Sequence, residues 1–381
     1  MMPVLSSSQF SFDDELPSPS FCVDIDIVRR NTNAMLERAT RAGVTLRPHV
    51  KTHKTIPVAL YSCGTDTPAD ARIVVSTLAE AEFFAAAGFT DVLYAIPMEP
   101  SKFKRAFNTN CSVMVDSVIA VNALRDWALK NGSVWRVWIA VDATCYAREG
   151  CNPEVAQVIA TNISGGGGGV TLAGLYSHSG NSYSCSDAGV GAQRVAALER
   201  DVMSSLAQRL RDMGIMVPAV SVGATPSASV AENWAGITEL HPGNYCFYDR
   251  QQVASGSCCV DDIAGYVIAR VVAIHNERGE ALIDAGATAL HKDTGGLADW
   301  GEVLGRPELI LRRMTQELSV VGHRDNQQQQ QLEDLAIGDV LRILPNHVCM
   351  TAAGHNTFYA VRKEKDGRRR ILGTMEPCRG W

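Results

Sequence analysis

From residue 45 to about 245, short apolar runs rich in β-branched and aromatic residues alternate with stretches whose apolar residues recur every three or four positions. The runs TLRPHVK (45 to 51), RIVVST (72 to 77), DVLYAIP (91 to 97), SVMVDS (112 to 117), RVWIAVD (136 to 142), LAGLYSHSG (172 to 180), AVSVGAT (219 to 225) and TELHPGN (238 to 244) predict eight strands. Between them LAEAEFFAAAG, VIAVNALRDWALKNG and AQRVAALERDVMSSLAQRLRDMG predict amphipathic helices. Strands that alternate with helices form a parallel sheet, and eight such units predict a closed (β/α)8 barrel over residues 20–262. After about residue 262 the texture changes to YVIARVVAIH, EALIDAGATAL, QELSVVG and DVLRILP, β-rich runs with no comparable helices between them. These predict a C-terminal β-domain over 263–381, completed by a strand from FCVDIDI within residues 1–27. Gly165 to Gly169 and Gln327 to Gln331 fall between elements and read as loops.

A chain of 381 residues, 46% of them apolar, can bury both a barrel and a second domain. The net charge of -6 and a pI near 5.9 offer no basic surface for a phosphate backbone, which argues against nucleic acid as a partner. The N-terminus, MMPVLSSSQFSFDDELPSPSF, carries acids where a signal peptide needs a basic and then an apolar run, and no stretch approaches a membrane span. A cytoplasmic protein without a membrane partner is expected. Its eleven cysteines form no CxxC pair, which suits reduced thiols better than a disulfide framework.

In a barrel of this kind, reactive groups gather at the C-terminal ends of the strands. Lys51 closes an apolar strand there, where desolvation depresses an amine pKa and frees its lone pair for imine formation. Lys54, three residues on, reads as supporting charge. His178 closes LAGLYSHSG and should face the same mouth. His347 and Cys349 form an H-x-C pair; in an extended segment alternate residues share a side and can converge on one ion, although spacing alone favours a packed pair. Imidazole with thiolate suits Zn²⁺ better than Mg²⁺ or Ca²⁺.

The segment RPHVKTHK resembles the cofactor-lysine segment of the D-serine dehydratase and D-threonine aldolase family, pyridoxal phosphate enzymes with an alanine-racemase-like fold. The likeness continues, in the family's order and over nearly the whole chain, through VDATCYAREG, GLYSHSGNSY, SVGATPSAS, ELHPGNYCFYD, DAGATALHKD and PNHVC. It implies a Schiff base from Lys51 to pyridoxal 5'-phosphate, and phosphate ligands at Gly223, Thr225, Gly243 and Asn244 with Tyr245 nearby. Arg148 would hold the cofactor's phenolic oxygen, and His178 would stack on its ring or exchange a proton with the substrate. Thr144 stands where the family's D-x-G-x-x-R-x-G stretch has glycine, which leaves the local backbone open. The match of PNHVC implies a metal at His347 and Cys349, with zinc expected and manganese or another divalent cation the alternative.

The implied activity is that of a lyase on small D-3-hydroxy amino acids. Dehydration of D-serine to pyruvate and ammonia is expected first, because a sulfur ligand tilts toward the dehydratase branch. Cleavage of D-threonine to glycine and acetaldehyde stays open, as do a threo-3-hydroxyaspartate substrate and a non-catalytic role in pyridoxal phosphate homeostasis. Alanine racemisation is disfavoured by the metal pair. The resemblance also implies a homodimer.

Overall fold

The computed structural model describes residues 5–185, 187–325, 332 and 334–381; the Gln327 to Gln331 stretch lies outside them. Strand β1 (Ser20–Asp24) is followed by the eight that form the barrel: β2 (Thr45–Leu46), β3 (Arg72–Val75), β4 (Asp91–Pro97), β5 (Ser112–Val115), β6 (Trp135–Ala140), β7 (Val170–Tyr176), β8 (Val220–Val222) and β9 (Glu239–Leu240). They pair in parallel in the order β2-β9-β8-β7-β6-β5-β4-β3. The seam between β2 and β3 is closed by a parallel bridge of His49 with Val74, where the Val74 amide donates to the Pro48 carbonyl over 2.9 Å. All eight predicted strands are present. The first is shorter than its sequence run: after Leu46 the chain turns, and Lys51 sits on a 3-10 turn, Val50–Thr52, rather than on a strand.

Residues alternate along each barrel strand between the helix layer and the barrel interior. Val137 and Ile139 pack outward among the helices, whereas Trp138 joins Val74, Leu93, Ala95, Met114 and Tyr176 inside. Gly174 makes room for that indole, since a Cβ there would lie 2.6 Å from Trp138 Cζ3. Below the indole a plug of charge fills the barrel floor: buried Arg47 reaches buried Glu239 over 2.9 Å and the partly exposed Asp91 over 2.7 Å. It is therefore the Arg47–Glu239 pair whose disruption would cost most, up to several kcal/mol.

The second domain consists of β10 (Gly265–His275), β11 (Glu280–Ile283), β12 (Glu302–Val303), β13 (Arg306–Met314), β14 (Ser319–His323), β15 (Val340–Leu344), β16 (Phe358–Lys363) and β17 (Arg369–Met375). With β1 they form one nine-stranded sheet, ordered β11-β14-β13-β12-β15-β10-β1-β16-β17, in which a further β10–β11 pairing curls the sheet closed. Strand β1 pairs antiparallel with β10 and parallel with β16. Only the front of FCVDIDI is extended. Asp24 accepts the amides of Asp26 and Ile27 and so caps a helix, Ile25–Arg41, which carries the chain into the barrel.

Between the domains, the segment after β15 is tied to the barrel. The Arg250 and Gln251 amides donate to the Pro345 and Asn346 carbonyls, and buried Asp249 accepts the Val348 amide over 3.0 Å. Arg250 also pairs with Asp299 and, over 2.5 Å, with Asn346.

One buried acid belongs to the barrel wall. Glu199, on the helix Val190–Asp212, is fully buried, and desolvation raises its pKa to about 8, opposed by donors at Ser179, Ser177 and the Gly223 amide. Neither of its oxygens has a hydrogen bond of good geometry. The folded chain therefore keeps a proton that the unfolded chain, titrating near 4.5, releases. Stability should fall as pH rises through the window from about 5 to 8, by up to about 1.4 kcal/mol per pH unit. Denaturant melts of Glu199→Gln should lose that slope; an unchanged slope would place the titration elsewhere.

Candidate functional site

The C-terminal ends of the barrel strands open into a cavity of about 470 Å³, closed on its far side by the C-terminal domain. Lys51, Arg148, His178, Gly243, Asn244, His347 and Cys349 all line it, so most of the residues singled out in the sequence meet at one place. A neighbouring space of about 450 Å³ shares His49, Lys51, Arg148 and His178 and reaches toward Asp116, Glu149 and Tyr176.

Burial lowers the Lys51 pKa, with Arg148 adding to the effect while Cys349 and two carboxylates oppose it. Its amine thus tends toward the unprotonated, nucleophilic form. Lys54 differs. Its backbone is left-handed, with φ of 53°, and its Nζ is fixed 2.9 Å from Glu80, a buried carboxylate that is itself held by Ser76 and Thr77. A lysine committed to a buried ion pair is a poor nucleophile, which separates the two candidates.

Around Lys51 stand three imidazoles. Burial lowers the pKa of His178 to about 3 and those of His49 and His241 well below the ordinary value, with Lys51 nearby adding to each. All three stay neutral at pH 7. His241 stacks on Tyr176 with centroids 4.0 Å apart, and its Nδ1 lies 2.8 Å from Ser221 Oγ. Its Nε2 is buried without a partner, a polar atom on the cavity wall with unused hydrogen-bonding capacity. His49 and His241 sit inside the segments RPHVK and ELHPG, but sequence reasoning did not single them out; their position at strand ends was the available signal. Tyr146 and Tyr183 also line the cavity.

Ala224, after β8, and Gly243 and Asn244, after β9, line the cavity, whereas Gly223 and Thr225 are not among its lining residues. Gly223 has φ of 106°, a conformation that favours glycine, and a Cβ there would meet nothing nearer than 3.9 Å. At Gly243 a Cβ would fall 2.6 Å from the His49 carbonyl, so only glycine allows this approach. Thr225 Oγ1 accepts the amides of Asn244 and Tyr245 over 3.0 and 3.2 Å; it braces the turn from behind. The Asn244 side chain donates to Asp249 over 2.7 Å and approaches Cys349 Sγ at 3.6 Å. That side chain therefore faces the sulfur. Tyr245 points away into the core, with its hydroxyl 3.3 Å from the Ser62 carbonyl.

Arg148 is half exposed and rides on a loop that Asp142 organises by accepting the Tyr146 and Ala147 amides. It pairs with Glu149 and lies over the Tyr146 ring at 5.4 Å. The left-handed residues of this loop are Cys145, Ala147 and Gly150, not Thr144, so the missing glycine leaves no strain at that position.

His347 and Cys349 do converge, though not as alternate residues of an extended segment. His347 is the N-cap of a short helix, Val348–Ala353, and Cys349 lies in its first turn. The turn sets the imidazole beside the thiol, and their interaction raises the His347 pKa against burial and lowers that of Cys349. Asp293 Oδ2 lies 2.6 Å from His347 Nδ1, which fixes the ring and leaves its other nitrogen available to a ligand. Asp293 was also missed, because 54 residues of sequence separate it from its partner. Among the described residues no cluster of three or more histidine, cysteine or acidic side chains could hold a metal. A thiol whose pKa is lowered beside an oriented imidazole fits an ion that keeps open positions for water or substrate.

Residues 23–251 match the model of the alanine racemase N-terminal domain, and residues 264–361 match that of a putative serine dehydratase domain. The D-serine dehydratase of Dictyostelium discoideum is 33% identical over 97% of this chain and 98% of its own. The chain belongs to the D-serine dehydratase and D-threonine aldolase family. The D-threo-3-hydroxyaspartate dehydratase of Delftia sp. HT23, also 33% identical, superposes with a TM-score of 0.90 over 98% of this chain and all of that one. A cysteine-to-alanine variant of that enzyme has been solved in a metal-free form. The D-threonine aldolase of Arthrobacter sp. is 27% identical over 91% of this chain and 89% of its own. No helix among the described residues is long and apolar enough to cross a membrane.

Proposed function

We propose that this chain is a pyridoxal phosphate- and zinc-dependent lyase of D-3-hydroxy amino acids, with D-serine dehydration to pyruvate and ammonia the activity that best fits its site. The observation that carries this reading is the convergence, in one cavity, of a desolvated lysine from the barrel and an imidazole–thiol pair from the second domain. When bound, pyridoxal phosphate supplies an electron sink for charge developing at Cα, and zinc a Lewis acid for a departing 3-hydroxyl. Lys51 would carry the cofactor, and its unprotonated Nζ, once free, would take the proton from Cα. Gly223 and Gly243 would receive the phosphate against backbone, on a turn braced by Thr225. Neutral His178 would pack against the ring or pass a proton to the substrate, Arg148 would hold the phenolic oxygen, and the unpartnered His241 Nε2 is the remaining polar group for cofactor or substrate. His347 and Cys349 would hold the metal.

D-threonine aldolase is the second reading, supported by the relatives of that name, and a hydroxyaspartate is the third. A cofactor-holding protein without turnover has no use for the His347–Cys349 pair. The zinc-replete protein should be incubated separately with D-serine and D-threonine and the products identified by mass spectrometry. Pyruvate from D-serine and 2-oxobutyrate from D-threonine, each with ammonia, are expected. Glycine and acetaldehyde would establish the aldolase, and no product from either would overturn the enzymatic reading. A homodimer is the expected assembly; a sizing-column mass of one chain would overturn that.

A further inference from the structure

The turn that carries Lys51 also reaches the sulfur of the second domain. Thr52 follows Lys51 on the 3-10 turn Val50–Thr52, is buried, and places Oγ1 3.2 Å from Cys349 Sγ. From the other side Asn244 Nδ2 lies 3.6 Å from the same sulfur. Asn244 is itself held by Asp249, whose carboxylate also accepts the Val348 amide at the start of the Cys349 helix and the Gln252 amide. Two barrel side chains therefore bracket a thiol that belongs to another domain.

We infer that Thr52 is a positioning residue that holds Cys349 Sγ in its metal-binding orientation, so that retention of the ion depends on the lysine turn. This rests on the reading of His347 and Cys349 as metal ligands. A cysteine side chain has three staggered wells about its Cα–Cβ bond, and only some of them turn the sulfur toward His347. The Thr52 hydroxyl and the Asn244 amide select among these, as outer partners of a metal ligand commonly do, and loss of such a partner typically weakens metal binding by about 10- to 100-fold. Thr52 differs from Asn244 in being replaceable without disturbing Asp249, which makes it the cleaner test.

Thr52→Val keeps the shape and removes the hydroxyl, whereas Thr52→Ser keeps the hydroxyl and removes a methyl. Zinc affinity should be measured on the cofactor-loaded proteins by competition with a chromophoric chelator, with the visible cofactor absorbance and the melting temperature followed in parallel. Thr52→Val should bind zinc at least about tenfold more weakly, with the cofactor retained, and Thr52→Ser should stay within about threefold of the wild type. Equal zinc affinity in Thr52→Val and wild type would overturn the inference, and so would a loss shared equally by Thr52→Ser. A wild-type chain that binds no zinc would overturn the metal reading together with it, and the two failures are distinguished by that control.

Discussion

Lys51→Ala should abolish the visible absorbance of the lysine-bound cofactor and reduce turnover of D-serine by at least about a thousandfold. The expected loss is large because two tasks fall on one amine: it would hold the cofactor and take the Cα proton. No other described group in the cavity duplicates both. Lys54 lines the same space but is neutralised by Glu80 at 2.9 Å, and the histidines lack an amine for the covalent link. Lys54→Ala should keep the absorbance. If instead the absorbance survives in Lys51→Ala and vanishes in Lys54→Ala, the assignment moves three residues along the chain.

The second large effect is expected at the sulfur. Cys349→Ala should lower bound zinc from about one ion per chain to near none, with the cofactor absorbance intact, and reduce activity by about a hundredfold or more. Separate behaviour of the two groups follows from their anchorage: Lys51 and the glycine turns belong to the barrel, whereas Cys349 belongs to a helix of the second domain. Metal analysis by mass spectrometry, with absorbance as the cofactor readout, checks both. Zinc content unchanged in Cys349→Ala would remove this residue from the ligand set.

The parts of the architecture that depend on local periodicity were readable in the sequence. The eight barrel strands and the helices between them follow from which residues are apolar and how they recur, and the β-rich second domain from the loss of the helical period. The expectation for FCVDIDI was half right, because the strand tendency of its apolar residues gave way to a helix once Asp24 found two amides to cap. The same limit applies to Lys51 and to the H-x-C pair. Both were read as parts of extended segments, yet each lies on a short turn whose geometry is fixed by distant partners: the Pro48 and Val74 seam in the first case, Asp249 in the second.

Side-chain commitments were the least readable. Spacing did not show that the Asn244 side chain faces the sulfur, where Asp249, five residues on, captures its amide. Nor did it show that Tyr245, whose amide joins the Thr225 turn, sends its ring into the core. Asp293 reaches His347 only because the second domain folds 54 residues of chain back on itself. Alternation and spacing specify which face a residue occupies, but a hydrogen-bond partner from another domain decides which way a polar side chain turns.

Crystals of the protein loaded with pyridoxal phosphate and zinc, measured at the zinc absorption edge, would test the site most directly. One anomalous peak between the His347 ring and Cys349 Sγ, with cofactor density continuous with Lys51 Nζ in the same cavity, is the expected result. A zinc peak away from that pair, or cofactor density joined to Lys54, would contradict it.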